Sequence, residues 1–183
     1  MEEQKDEQLM EQFQSGNKNA LQVLFARYVK RVFNFCLRLL GNQADAEDAT
    51  QDVFLKLFNK QYAFQLGAKF STWLFTIARN CCFDRLRKRK REVNLEDWSS
   101  IGEENANQRA SDSNRDLVAI ALDKLPSDQR EALVLREYQQ FSYAEISEII
   151  NCSLEKVKIL IFRGREQMRA QLEPLLKEGI DND

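Results

Sequence analysis

From Phe70 to Arg91 the chain reads FSTWLFTIARNCCFDRLRKRKR, a stretch whose residue types bind and stack rather than react. At about 100° per residue, Leu74, Ile77, Ala78 and Cys81 make one helical stripe suited to a core. Thr72, Thr76, Arg79, Asn80, Phe83 and Arg87 fall on the opposite side. Their hydroxyls, amide, ring and guanidinium groups offer hydrogen bonds, a stacking surface and charge to a nucleic acid. The tail from Arg85 to Arg91 places six cations in seven residues. Alone, such a run reads equally as a solvated helix end or a localisation-type tract. The polar and aromatic face beside it favours DNA or RNA.

A second binding pattern lies near the C-terminus. Ser142-Tyr143-Ala144-Glu145 fits a capping box that opens a short helix ending at Ile149-Ile150. Asn151-Cys152-Ser153 turns the chain, and Leu154 starts a longer helix through Leu172. Short helix, turn and longer helix is the helix-turn-helix layout, although plain helical hairpins share it. On the last helix Val157, Ile161, Gly164 and Met168 line a core side. Lys158, Ile159, Phe162 and Arg163 project from the other, two cations for phosphates or guanine edges and two apolar groups for thymine methyls. A protein interface would also explain Ile159 and Phe162.

Other carboxylates and aromatics have several readings. Asp45, Glu47, Asp48, Gln51 and Asp52 open a helix that Asn42 can cap, with Ala46, Ala49, Val53, Leu57 and Phe54 as its packing pattern. The acidic face serves capping and solubility, a docking surface for a basic partner, or a metal or acid/base pair. No further ligand cluster completes the last. Asn59 to Lys69 reads as a loop whose Tyr62 and Phe64 are either a lid on the core or a pocket wall.

The elements that must position these residues are helical. Six glycines and two prolines in 183 residues, with 43% hydrophobic and 31% charged residues, suit an all-α chain. Leu9 to Phe13 predicts a short helix before the Ser15-Gly16-Asn17 break. A long helix from near Asn19 carries Leu21, Leu24, Phe25, Tyr28, Val32, Phe35, Cys36, Leu39 and Leu40, and ends at Gly41-Asn42. Glu92 to Asn114 is polar and acidic apart from Trp98 and Ile101 and reads as a linker, so two helical domains are expected. Leu117 to Leu125 stops at Pro126, and Ser127 is expected to cap a helix running to about Gln139.

Composition narrows the function. The net charge is only -2, so a nucleic-acid site must rest on local clusters. Without histidine the chain lacks the commonest general base and metal ligand, which argues against an enzyme. Cys36, Cys81, Cys82 and Cys152 have no metal-type spacing and are expected as reduced thiols. No apolar run reaches the roughly 18 to 20 residues of a membrane span, and the start MEEQKDEQLMEQF is unlike a signal peptide. A cytoplasmic protein with no cofactor and no membrane insertion is expected.

Three blocks resemble the bacterial RNA polymerase sigma factors of the sigma-70 family, in the short extracytoplasmic-function (ECF) branch. Asp45-Ala46-Glu47-Asp48-Ala49-Thr50-Gln51-Asp52-Val53-Phe54 is similar to the family's polymerase-docking helix. Phe70-Ser71-Thr72-Trp73-Leu74 through Ile77-Ala78-Arg79-Asn80 to Asp84-Arg85-Leu86-Arg87-Lys88 is similar to its promoter-melting block. Leu125-Pro126 through Tyr143-Ala144-Glu145-Ile146 and Val157-Lys158 to Arg165 is similar to its minus-35 reader. The resemblance implies an all-α protein with a region 2 domain at 1–92, a flexible linker at 93–116, a region 4 helix-turn-helix at 117–177 and a tail at 178–183. It implies a promoter-specificity subunit that binds core RNA polymerase and promoter DNA, double- and single-stranded, and that an anti-sigma factor restrains.

By the same resemblance Asp45, Glu47, Asp48, Gln51, Asp52 and Phe54 would meet the polymerase. Phe64, Lys69, Phe70, Thr72, Trp73, Thr76, Arg79, Asn80, Phe83 and Arg87 would meet the minus-ten element, with the Tyr62 to Phe70 loop and Asn80 around a flipped base. Lys156, Lys158, Ile159, Phe162, Arg163 and Arg165 would meet the minus-35 element. Where the family commonly has arginine, Leu160 sits beside the core stripe and is expected to pack. The rival readings are a helix-turn-helix regulator that works without polymerase, and a metal-dependent nuclease built on Asp45, Glu47 and Asp48.

Overall fold

The computed structural model describes residues 4–65, 67–95 and 113–180. Its helices are α1 (Asp6–Gln14), α2 (Lys18–Leu40), α3 (Gln43–Asn59), α4 (Phe70–Leu95), α5 (Ser113–Asp123), α6 (Ser127–Glu137), α7 (Tyr143–Ile150) and α8 (Leu154–Ile180), with one 3-10 turn at Gln61–Ala63. No strand occurs among the described residues. Most of the expected linker, with Trp98 and Ile101, lies outside them, as do 181–183.

Local chemistry sets most helix ends. Asn17 caps α2 through its side-chain oxygen and the Asn19 N–H, slightly ahead of the expected start. Gly41 ends α2 in the left-handed conformation, φ 79°, and donates its N–H to Leu37, a geometry glycine adopts without a Cβ penalty. Asn42 caps α3 by accepting from the Asp45 N–H at 2.8 Å. Ser127 is not a cap: it is the first residue of α6, its flanking residue is Pro126 and no side chain bonds there. Proline supplies an extended entry to the first turn without needing a donor, so the hydroxyl is not required. Beyond the expected end at Leu172, α8 continues through Pro174 to Ile180.

Helices α1 to α4 pack around Leu24, Val32, Phe35, Val53, Leu57, Phe70, Leu74 and Phe75, and α5 to α8 around Leu135, Ile146, Ile149, Val157 and Ile161. The two groups are not separate cores. Their buried residues form one contiguous cluster, joined where Phe75 of α4 meets Phe141 edge-on at 5.1 Å between ring centroids. Offset ring pairs of this kind add about 0.5–1.5 kcal/mol to the area they bury.

Candidate nucleic-acid and partner interfaces

Helix α3 divides its polar residues between two faces. Toward α4, Asp52 accepts from Arg85 at 2.6 Å and Asp48 at 3.4 Å. Burial works against the Arg85 charge, but Asp52, Asp48 and Asp45 together hold its guanidinium above its ordinary range. Asp45 itself accepts from the Asn42 amide at 2.6 Å. Toward α2, a groove of about 860 Å³ is lined by Leu21, Phe25, Val29, Phe33, Phe54 and Phe58, with Glu47, Asp48 and Gln51 at its rim. Phe54 is half-buried against Phe25, ring centroids 4.7 Å apart. Phe25, Leu55 and Phe58 are 45%, 56% and 47% exposed. Large rings left in water in a continuous apolar groove mark a binding surface. Of the six residues expected to meet a partner, Glu47, Asp48, Gln51 and Phe54 line this groove, while Asp52 and Asp48 are also engaged by Arg85 and Asp45 by Asn42.

Phe25, Leu55 and Phe58 were absent from the sequence-based site. Periodicity places Phe25 on the buried face of α2, because it identifies an apolar stripe without telling which part of it a neighbour covers.

Helix α4 departs further from its helical wheel. Phe70 is buried, edge-on to Tyr28 at 5.3 Å, and its N–H donates to Glu7 of α1 at 3.0 Å. Phe64 is buried too, with Trp73 at 5.3 Å. Both rings are therefore core rather than stacking platforms, because the loop folds inward and α1 covers the start of α4. The exposed ring of the loop is Tyr62, at 77%. Trp73 is half-buried, and Thr76 returns its hydroxyl to the Thr72 carbonyl at 2.8 Å. Asn80 and Arg87 are exposed, with Arg87 at 3.6 Å from Asp84.

Three more expected DNA ligands, Thr72 and Arg79 on α4 and Lys69 just before it, are covered or engaged. Thr72 is buried and its hydroxyl has no hydrogen-bond partner among the described residues. Arg79 pairs with Glu131 of α6, whose side chain is 3% exposed, and its guanidinium also lies over the Phe83 ring at 4.7 Å. Burial raises the Glu131 carboxyl to about 7 although Arg79 pulls it down. Lys69 pairs with Glu145 of α7 at the surface. Burial acts against the Glu145 charge, yet Lys69 and Ser142 hold its carboxyl below the ordinary range.

The helix-turn-helix is built as its sequence implies. Ser142 accepts from the Glu145 N–H at 3.2 Å and donates its own N–H to Glu145 at 2.7 Å. Asn151 turns in the left-handed conformation, φ 53°, and Ser153 accepts the Lys156 N–H at 3.2 Å to start α8. Val157 and Ile161 are buried, and Leu160 packs at 6% exposure. At Gly164 α8 lies against α6, where a Cβ would make ordinary van der Waals contact with the Gln129 carbonyl at 3.5 Å. Lys156, Lys158 and Arg163 are exposed, with Ile159 at 49% and Phe162 at 66%. Arg165 is bound to Glu137 at 2.6 and 3.0 Å.

No group of three potential metal ligands occurs among the described residues, and all four cysteines are free thiols. No described helix is long and apolar enough to cross a membrane. These surfaces suit recognition of polymers through charge, apolar contact and hydrogen bonding.

Residues 24–92 match the family model for sigma-70 region 2, and residues 115–168 that for sigma-70 region 4. The chain is 33% identical to the ECF RNA polymerase sigma factor SigW of Bacillus subtilis, over 91% of this chain and 96% of that one. It is 30% identical to the RNA polymerase sigma-H factor of Pseudomonas aeruginosa, over 97% and 98% respectively. Among solved structures it is similar to the sigma factor RpoE from Bartonella quintana, in complex with the anti-sigma factor NepR. That match has a TM-score of 0.71 and 30% identity, and covers 83% of this chain and 96% of that one.

Proposed function

Because the chain belongs to the ECF branch of the sigma-70 family, a class of promoter-specificity subunits, we propose how its surfaces divide the work of initiation. The protein is a regulatory subunit that directs core RNA polymerase to promoters. Its partners are core polymerase, promoter DNA and an anti-sigma factor, and its work is done in the cytoplasm. One observation carries the division: the same chain presents a cationic, apolar-tipped α8 and, away from it, an acid-rimmed aromatic groove between α2 and α3. A regulator acting without polymerase has a use for the first and none for the second.

The groove docks polymerase through Phe25, Phe54, Leu55 and Phe58, with Glu47, Asp48 and Gln51 selecting a basic partner. On α4, Asn80, Thr76, Trp73 and Phe83 face the minus-ten strand, Tyr62 flanks them, and the tail with Arg87 meets phosphates. Melting costs about 1.4 kcal/mol per base step, and one stacked base returns roughly 1–3 kcal/mol. A few such contacts therefore bias the open complex. On α8, Lys156, Lys158 and Arg163 hold the minus-35 duplex while Ile159 and Phe162 touch base edges. We assign region 2 to residues 1–92 and region 4 to 117–177.

Reconstituted transcription tests this reading. Core polymerase with the protein should initiate from a reproducible subset of a random promoter pool; no initiation on any member would refute it. Asn80→Ala should cut the rate of promoter opening by roughly 10-fold, the loss of about 1.4 kcal/mol, with polymerase affinity unchanged. Equal loss of both would contradict its place on the strand. Phe162→Ala should weaken holoenzyme binding to minus-35 duplexes by about 1 kcal/mol, the worth of one buried methyl contact, most at sites where a thymine faces it. Changing that thymine to uracil should reproduce the loss in the wild type and have no effect in the variant.

A further inference from the structure

Helix α1 precedes the residues matched to region 2, which begin at 24, yet it holds both ends of the loop between α3 and α4. At one end the Gln14 side-chain amide donates to the Gln61 and Phe64 carbonyls at 2.7 and 3.1 Å. At the other, the Glu7 carboxylate accepts the Phe70 N–H at 3.0 Å. Glu7 and Gln14 stand seven residues apart, two turns and about 10 Å along one helical face. Met10 lies between them on that face and is buried, which seats α1 on the core. Asp6 fixes the start of α1 by accepting from Arg27 and Tyr28.

The loop has little to fix its own position. Its backbone hydrogen bonds among the described residues run from Ala63 to Lys60, from Phe64 to Gln61 and from Ala68 to Gln65. Each spans three residues, so together they shape turns without deciding where the turns sit. The Phe64 ring is buried, and the ring of Tyr62, two residues earlier, is 77% exposed. A ring in an apolar contact can slide or rotate, whereas hydrogen bonds set both distance and direction. Gln14 suits this task by its chemistry. Its amide offers two N–H donors to two acceptors, and being neutral it carries no charge into a half-buried place.

Resting on the reading of this loop as one wall of the minus-ten base site, we propose that Gln14 is a positioning residue for base selection. By clamping the Gln61–Phe64 turn to α1 it sets the distance of Tyr62 from α4, and with it the shape of the space offered to an unstacked base. A site held loosely admits several bases, and one held rigidly discriminates among them.

Gln14→Met keeps the length of the side chain and removes both donors. In the free full-length variant, amide hydrogen exchange should be roughly 10-fold faster at Ala63 and Phe64 and unchanged in α2, as expected for a local opening that no longer breaks two hydrogen bonds. The second measurement uses holoenzyme and pre-melted promoters carrying each of the four bases at successive minus-ten positions. The wild type should prefer one base at the position the loop faces, and the variant should lose roughly 10-fold of that preference with its affinity for core polymerase unchanged. Unchanged exchange in the loop, or equal weakening on all four bases, would overturn the proposal. A preference that survives intact in the variant would overturn it alone, whereas a wild type without preference at any position would remove the loop from the strand and the proposal with it.

Discussion

Phe25→Asp should raise the dissociation constant for core polymerase by roughly 30-fold or more while leaving the fold intact. The ring is 45% exposed and lies edge-on to Phe54 in the lining of the α2–α3 groove. Central aromatic anchors commonly cost 2 kcal/mol or more when lost at an interface. A new carboxylate would join Glu47 and Asp48 in an already acidic rim, but it would not restore apolar contact. As the position is half open to water, helix content should match the wild type. Equilibrium binding to core polymerase, with circular dichroism alongside, provides the measurement. An unchanged affinity would remove the groove from the docking surface and return the task to the carboxylates alone.

Closure of the two halves should weaken as pH rises from 6 to 8. In the closed chain burial holds the Glu131 carboxyl up at about 7, against an ordinary value of 4.5. Parting the halves returns the group to water. Between those two values the closed form binds the extra proton, so closure is fully favoured below the lower value and loses support as pH rises through the upper one. One proton corresponds to about 1.4 kcal/mol per pH unit, and the closed-to-open ratio should fall roughly 10-fold from pH 6 to pH 8. The groups bearing on Glu131 are Arg79 and the raised, neutral Cys82 thiol of α4, and Asp128 of its own helix. The fraction of chains with the halves apart, read by small-angle scattering, should accordingly rise over this range. Glu131→Gln, neutral throughout, should show no such rise. A flat wild-type profile, or an identical slope in the variant, would show that Glu131 does not set the equilibrium.

The two expectations draw on different levels of the molecule. Four helix ends are readable from order alone: Asn42 before an acidic first turn, Ser142 three residues before Glu145, Gly41 after Leu40 and Asn151 in the helix-turn-helix. Each acts through atoms within a few residues, where types and spacing suffice. The inward set on α8 followed from 3.6-residue periodicity for the same reason, and with it the burial of Leu160.

Periodicity says which residues share a side, not what lies against it. Phe64 and Phe70 have the chemistry of base-stacking rings, and only the packing of α1 and the Tyr62 loop makes them core. Phe25 shares its stripe with Leu21 and Leu24, yet it stays 45% exposed in the groove between α2 and α3. Arg79 and Lys69 are cations expected at the minus-ten element. Their carboxylate partners lie 52 and 76 residues away in sequence, too far for any local pattern to pair them. The order of the residues thus determined the elements, the family and the kinds of contact the chain can make. Which rings face water, and which cations are already engaged, was decided by long-range packing of one half on the other.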